Sequence, residues 1–163
     1  MKYHPVTEDI KNKLIESGSW FETFEHEPVR TSEQAARTRP GYSLQQGAKA
    51  IIVRVKKSKK DKVFVMLVLP ADLRFDNKKV KDYYQSKDVR FAAEQEVLEI
   101  TGGVQVGAVP PFGNLFDLEV LVDPKLLENE KIVFNAGDRC FSIAMKSEDY
   151  IKLVNPKIVD ITS

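Results

Sequence analysis

The chain has 163 residues, 42% apolar and 30% charged, enough to bury a core without disulfide or metal staples, and it reads as one domain over residues 1–163. A single cysteine, Cys140, excludes an internal disulfide, and two histidines leave a conventional zinc site short of ligands, so neither metal nor cofactor is expected. A net charge of +1 argues against indiscriminate polyanion binding, and a charged N-terminus with no apolar run of about 18 residues excludes a membrane span and points to the cytoplasm.

In chain order, Thr7 is placed to cap a helix with Glu8 and Asp9 in its first turn, Ile10, Leu14 and Ile15 on its apolar face, and Gly18 as its stop. A short strand, "WFETFEH", follows. In "TSEQAARTRPG", Thr31 and Gln34 have capping-box spacing and Pro40 ends the helix. "KAIIVRV" and "KVFVMLVLP" are two β-branched runs flanking a lysine-rich turn, the pattern of a long central hairpin. Beyond it, "NKKVKDYYQS" and "AAEQEVLEITGG" predict helices around a brief strand in "VRFA". "LFDLEVLVD", "KIVFNAG", "CFSIAM" and "KIVDIT" predict further strands, and Ser147 is placed to cap a helix over "SEDYIKLV". Hairpin spacings outnumber strand-helix-strand crossovers, so the expected class is α+β: a mixed, mainly antiparallel sheet with helices packed around it.

Three stretches carry candidate chemistry. The turn "RVKKSKKDK" sets Lys56, Lys57, Lys59 and Lys60 among six bases against Asp61 alone. This charge suits either a solvated hairpin tip or a contact to a phosphate backbone. Lys49 opens the most apolar strand just after Gly47, which permits close approach of another chain segment. It is either a snorkelling surface lysine or a cation aimed into a cleft. The third stretch, "GAVPPFG" from Gly107 to Gly113, belongs neither in a helix nor inside a sheet, because Pro110 and Pro111 offer no N–H; a stiff shaped loop results. No nucleophile elbow, P-loop, dinucleotide fingerprint or zinc-protease motif is present. Cys140 reads as a small buried residue of a strand, and His26 as a strand-end side chain satisfied by backbone.

Taken in order, "HEPVRTSEQAA", "GAKAIIV", "VMLVLPAD", "VRFAAEQEVLEITGGVQVGAVPPFG" and "NAGDRCFSIAMKSEDY" resemble the YbaK/ProX family, the free-standing relatives of the insertion (editing) domain of bacterial prolyl-tRNA synthetase. The likeness runs over about residues 20 to 161. Its anchors are a GxxxP loop, matched by Gly107 to Pro111, and a lysine opening the central strand, matched by Lys49. The resemblance implies a partly barrel-like sheet and a trans-acting hydrolase that cleaves the ester of a mischarged tRNA, with tRNA-Pro as the expected partner and prolyl-tRNA synthetase as a possible one. Ala-tRNA-Pro is the expected substrate and Cys-tRNA-Pro the alternative; a non-catalytic tRNA- or synthetase-binding module is the rival of another class. Lys49 and Gly107 are then the implied catalytic residues. Ala108, Val109, Pro110, Pro111, Phe112, Gly113, Thr31, Asn135 and Gly137 are the implied substrate contacts, and Lys56, Lys57, Lys59 and Lys60 the tRNA contacts. Two departures from the family pattern stand out: the extra arginines in "RTRPGYSLQQ" and the sequence "NAGDRC".

Overall fold

The computed structural model describes residues 3–28 and 39–163; the helix expected from Thr31 lies outside them. Pro5 opens α1 (Pro5–Glu16), where its missing N–H leaves no gap, and His4 caps the helix by accepting the Val6 N–H through Nδ1 at 3.0 Å. Thr7, the cap expected from the sequence, lies inside the helix and donates its hydroxyl to the Ala136 carbonyl at 2.5 Å. Val6, Ile10 and Leu14 make the buried stripe, whereas Ile15 is 62% exposed, because the stripe is narrower than the sequence pattern suggests. Gly18 ends the helix region at φ +69°, as expected.

Two sheets follow. The first places β1 (Phe21–Glu25), β7 (Phe141–Lys146) and β6 (Lys131–Asp138) side by side, all antiparallel. The second has the order β4 (Asp88–Phe91), β2 (Ala48–Lys56), β3 (Lys62–Pro70), β5 (Glu119–Val122) and β8 (Lys157–Ile158). Its hairpin β2–β3 and the pair β2–β4 are antiparallel, and β3–β5 and β5–β8 are parallel. The α+β, mainly antiparallel expectation is met. Gly47 joins the two sheets through a parallel bridge to Val133 of β6, so they wrap side by side around a shared core, the partly barrel-like arrangement.

Strand alternation sorts the side chains into two layers. Ala48, Ile52, Met66, Val68, Phe134 and Ile143 face inward with α1 and with α5 (Ser147–Val154), while Val53, Val55, Val65 and Leu67 face outward beneath Val80 of α2 (Asn77–Tyr84) and Ile161. α3 (Glu94–Thr101) ends at Gly102, as the sequence predicts, and the short α4 (Pro124–Leu127) follows β5. Ser147 does not cap α5; it occupies the first turn and donates its hydroxyl to the Asn129 carbonyl, while Lys146 takes the cap position.

Candidate active site

The loop from Gly107 to Gly113 is tied to three other parts of the chain, at Asn135, Gly137 and Tyr150. The Ala108 N–H donates to the Gln105 carbonyl at 3.0 Å, the Ala108 carbonyl accepts from Gly137 at 2.9 Å, and the Pro111 carbonyl accepts from the buried Tyr150 hydroxyl at 2.6 Å. Ala108, Val109, Pro110, Pro111, Phe112 and Gly113 are all buried, and Val109 and Phe112 belong to the core, so their side chains anchor the loop. A Cβ on Gly113 would meet Val120 Cγ2 at 2.6 Å, which explains glycine there by packing alone. Gly107 is the exposed member, with φ +90°. Its carbonyl accepts from Asn135 Nδ2 at 2.8 Å. Among the described residues, no protein oxygen accepts from the N–H of Gly107, Val109, Phe112 or Gly113, and of these Gly107 is the exposed residue.

Asn135 links the loop to a polar network that sequence reasoning missed. Arg39, 5% exposed, donates from Nη2 to Asn135 Oδ1 at 2.8 Å and from Nε to Ser142 Oγ at 3.1 Å. Ser142 in turn donates to Asn135 Oδ1 at 3.2 Å and meets His26 Nε2 at 2.8 Å. His26 is thus satisfied by Ser142 as well as by the Glu27 carbonyl. Burial pushes the Arg39 guanidinium down to about 10, which leaves it charged at neutral pH. The signal was present as the extra arginines of "RTRPG", but nothing local marks one of them as buried. Gly137, at φ +96°, is glycine because a Cβ would meet Val6 Cγ1 at 2.6 Å; it braces α1 against the loop.

Lys49 opens β2, next to the point where the two sheets meet. Gly47 pairs with Val133 across the parallel bridge, which sets the start of β2 against the middle of β6, the strand that carries Asn135. β4 covers β2 only from Val53 to Lys56, and the edge at Ala50 therefore opens between them. Lys49 is half-buried, and its Nζ donates to the Leu73 carbonyl at 2.6 Å. Burial first, and then the charge of Arg74, push its pKa down, with Asp72 opposing. Among the described residues no hydrogen bond ties Lys49 directly to the loop. Thr31 lies outside the described residues. Lys57, Lys59 and Lys60 stand exposed at the hairpin tip with Lys56 half-buried, about 24 Å along β2 from Lys49. Cys140 sits in the turn before β7 instead of in the strand, and burial with the nearby Asp138 raises its thiol pKa. Among the described residues, no group of three or more histidine, cysteine or acidic side chains is placed to hold a metal.

Residues 26–153 match the aminoacyl-tRNA editing domain. The chain belongs to that family. Editing by such a domain is hydrolysis of an aminoacyl ester, so the protein is an aminoacyl-tRNA hydrolase. It is 34% identical over 148 residues to the multifunctional Ser/Thr-tRNA deacylase ProXp-y of Escherichia coli K12, covering 90% of this chain and 87% of that one. It is also 34% identical over 119 residues to YwhH of Bacillus subtilis, covering 73% and 71%. A solved structure described as a candidate trans-editing enzyme for prolyl tRNA synthetase shares the fold, with a TM-score of 0.81 at 21% identity over 99% of each chain. Another, of the protein APE2540, gives 0.81 at 24% identity over 94% of this chain and 99% of that one. No described helix is long and apolar enough to cross a membrane.

Proposed function

We propose that this hydrolase clears small amino acids from mischarged tRNA in trans, serine and threonine ahead of alanine. The observation that carries the reading is that Gly107, the exposed member of the loop, and Val109 keep their N–H groups uncommitted among the described residues, while the Gly107, Ala108 and Pro111 carbonyls between and beside them are pinned. An aminoacyl ester is already activated, so positioning a water and stabilising an oxyanion suffice. Water adds to the carbonyl carbon and the carbonyl oxygen becomes the oxyanion held by those N–H groups. Collapse expels the ribose 3′-oxygen, which takes up a proton originating from the water. Lys49 holds a phosphate or ribose of the tRNA end, and the loop's backbone forms the acyl side of the site.

The preference for serine and threonine is supported by polar surroundings, Asn135 on the Gly107 carbonyl with Ser142 behind it, and by the activity in the name of the relative ProXp-y. A hydroxyl that finds partners in such a site gains more discrimination than a methylene does. The test is single-turnover deacylation of a panel: Ser- and Thr-charged tRNA, with Ala-tRNA-Pro and Cys-tRNA-Pro as the arms expected from the sequence. Serine or threonine should be released fastest; faster release of alanine or cysteine would replace this specificity. In the same assay Lys49→Ala should remove most activity while melting with the parent, since a half-buried strand-end lysine carries little packing. A fully active Lys49→Ala enzyme would remove Lys49 from the site.

A further inference from the structure

The outward face of β2 continues from Lys49 through Ile51 to Val53, and Val53 pairs with Phe91 of β4. Phe91 is 62% exposed, the most exposed aromatic side chain among the described residues, and the Phe75 ring meets it edge-on, with centroids 5.4 Å apart at 79°. Phe75 lies two residues beyond Leu73, whose carbonyl holds the Lys49 ammonium, and the exposed Arg74 stands between them. Two independent connections, the strand and the segment Leu73–Phe75, thus link this aromatic pair to Lys49 on one face. Along β2 the separation is about 13 Å. Asp72 is the nearby carboxylate acting on Lys49, countered by Arg74.

An exposed aromatic ring braced by another, next to cationic side chains, is the arrangement that binds single-stranded nucleic acid: the ring stacks on a base while the cations meet the phosphates. We propose that Phe91, backed by Phe75, is a stacking platform for an unpaired nucleotide preceding the terminal adenosine of the tRNA, with Lys49 and Arg74 at the intervening phosphates. The proposal rests on the reading of Lys49 as a contact to the tRNA end. It gives this outer face an occupant of defined chemistry and explains a large aromatic left in solvent.

The experiment compares parent, Phe91→Ala and Phe91→Trp on two charged substrates, a full aminoacyl-tRNA and the aminoacyl ester of adenosine alone, with binding of a short uncharged RNA ending in CCA measured by fluorescence anisotropy. Phe91→Ala is expected to raise KM for the tRNA roughly tenfold with kcat nearly unchanged, to weaken the uncharged RNA by a similar factor, and to leave the adenosine ester unaffected. Phe91→Trp should retain parental values. Parental RNA affinity in Phe91→Ala, or equal loss on the adenosine ester, overturns the platform. Because RNA affinity is read without any ester, a failure of the specificity proposed above leaves this outcome separately readable.

Discussion

The Gly107–Gly113 loop and the Lys57–Asp61 hairpin tip are both turns outside regular structure, yet they are built on opposite principles. In the loop, Asn135, Gly137 and Tyr150 each take a backbone group, and Val109 and Phe112 sink into the core. At the tip, the backbone closes only on itself, Lys57 and Ser58 donating to the Asp61 carbonyl, and the lysines extend into solvent. Stabilising an oxyanion demands donors fixed to a few tenths of an ångström, whereas neutralising a phosphate demands only charge within reach. The loop should therefore govern rate and the tip affinity.

The largest effect expected from this contrast is at Gly107. Its φ of +90° suits glycine, and a Cβ there would find Arg139 Nε at 3.5 Å, an ordinary contact with a flexible side chain. Space is therefore not the constraint; backbone conformation is. Gly107→Ala and Gly107→Val should both lower kcat, the latter by about 10²–10³-fold, the cost of one misplaced oxyanion donor. Single-turnover kinetics with saturating enzyme reads this directly. A variant that changes only KM would show that the loop binds without stabilising the reacting carbonyl.

A smaller effect is expected at the tip. Reversing Lys56, Lys57, Lys59 and Lys60 to glutamate should weaken tRNA affinity and make its salt dependence shallower, by about 0.9 in log–log slope for each phosphate no longer neutralised, with kcat unchanged. The tip stands about 24 Å along β2 from Lys49, so it should act on the body of the tRNA and not on its end. An unchanged slope would make the lysines a solvated turn that only discourages edge pairing.

These two regions were also unequally legible in the sequence. The hairpin, its register-compatible alternation and the Gly-Pro loop announce themselves through local residue types, so β2, β3 and a loop at Gly107 follow from the sequence. The polar network does not, because the bonds that bring Arg39 and His26 into it span long stretches of chain. Arg39 meets Ser142 and Asn135 about a hundred residues away, and only the folded sheet makes that arginine buried. Helix starts escape local reading for a related reason. Thr7 and Ser147 have the right chemistry for caps, but each hydroxyl is committed to a distant carbonyl, Ala136 and Asn129, and the chain starts its helix elsewhere. Lys49 was legible as an anomaly in an apolar strand, while the meeting of its strand with β6 depends on the Gly47–Val133 bridge, which no local pattern encodes.

The smallest effect belongs to Cys140, which lies near the loop's supports but outside both mechanisms. Its amide donates to Asp138 Oδ1 at 2.8 Å and its carbonyl accepts from His26 at 3.0 Å, so the backbone, not the thiol, makes the structural bonds. Burial, reinforced by Asp138 and Glu27, raises the thiol pKa and disfavours the thiolate that a nucleophile requires. Cys140→Ser replaces sulfur with a similar-sized hydroxyl and keeps both backbone bonds. Deacylation should stay within a few-fold of the parent across neutral pH, and a thiol-directed alkylating reagent should leave the protein active. A dead Cys140→Ser enzyme beside an active Gly107→Val enzyme would invert the comparison, because the acyl group would then pass through a thioester and the pinned loop would be scaffolding for a nucleophile instead of the site of oxyanion stabilisation.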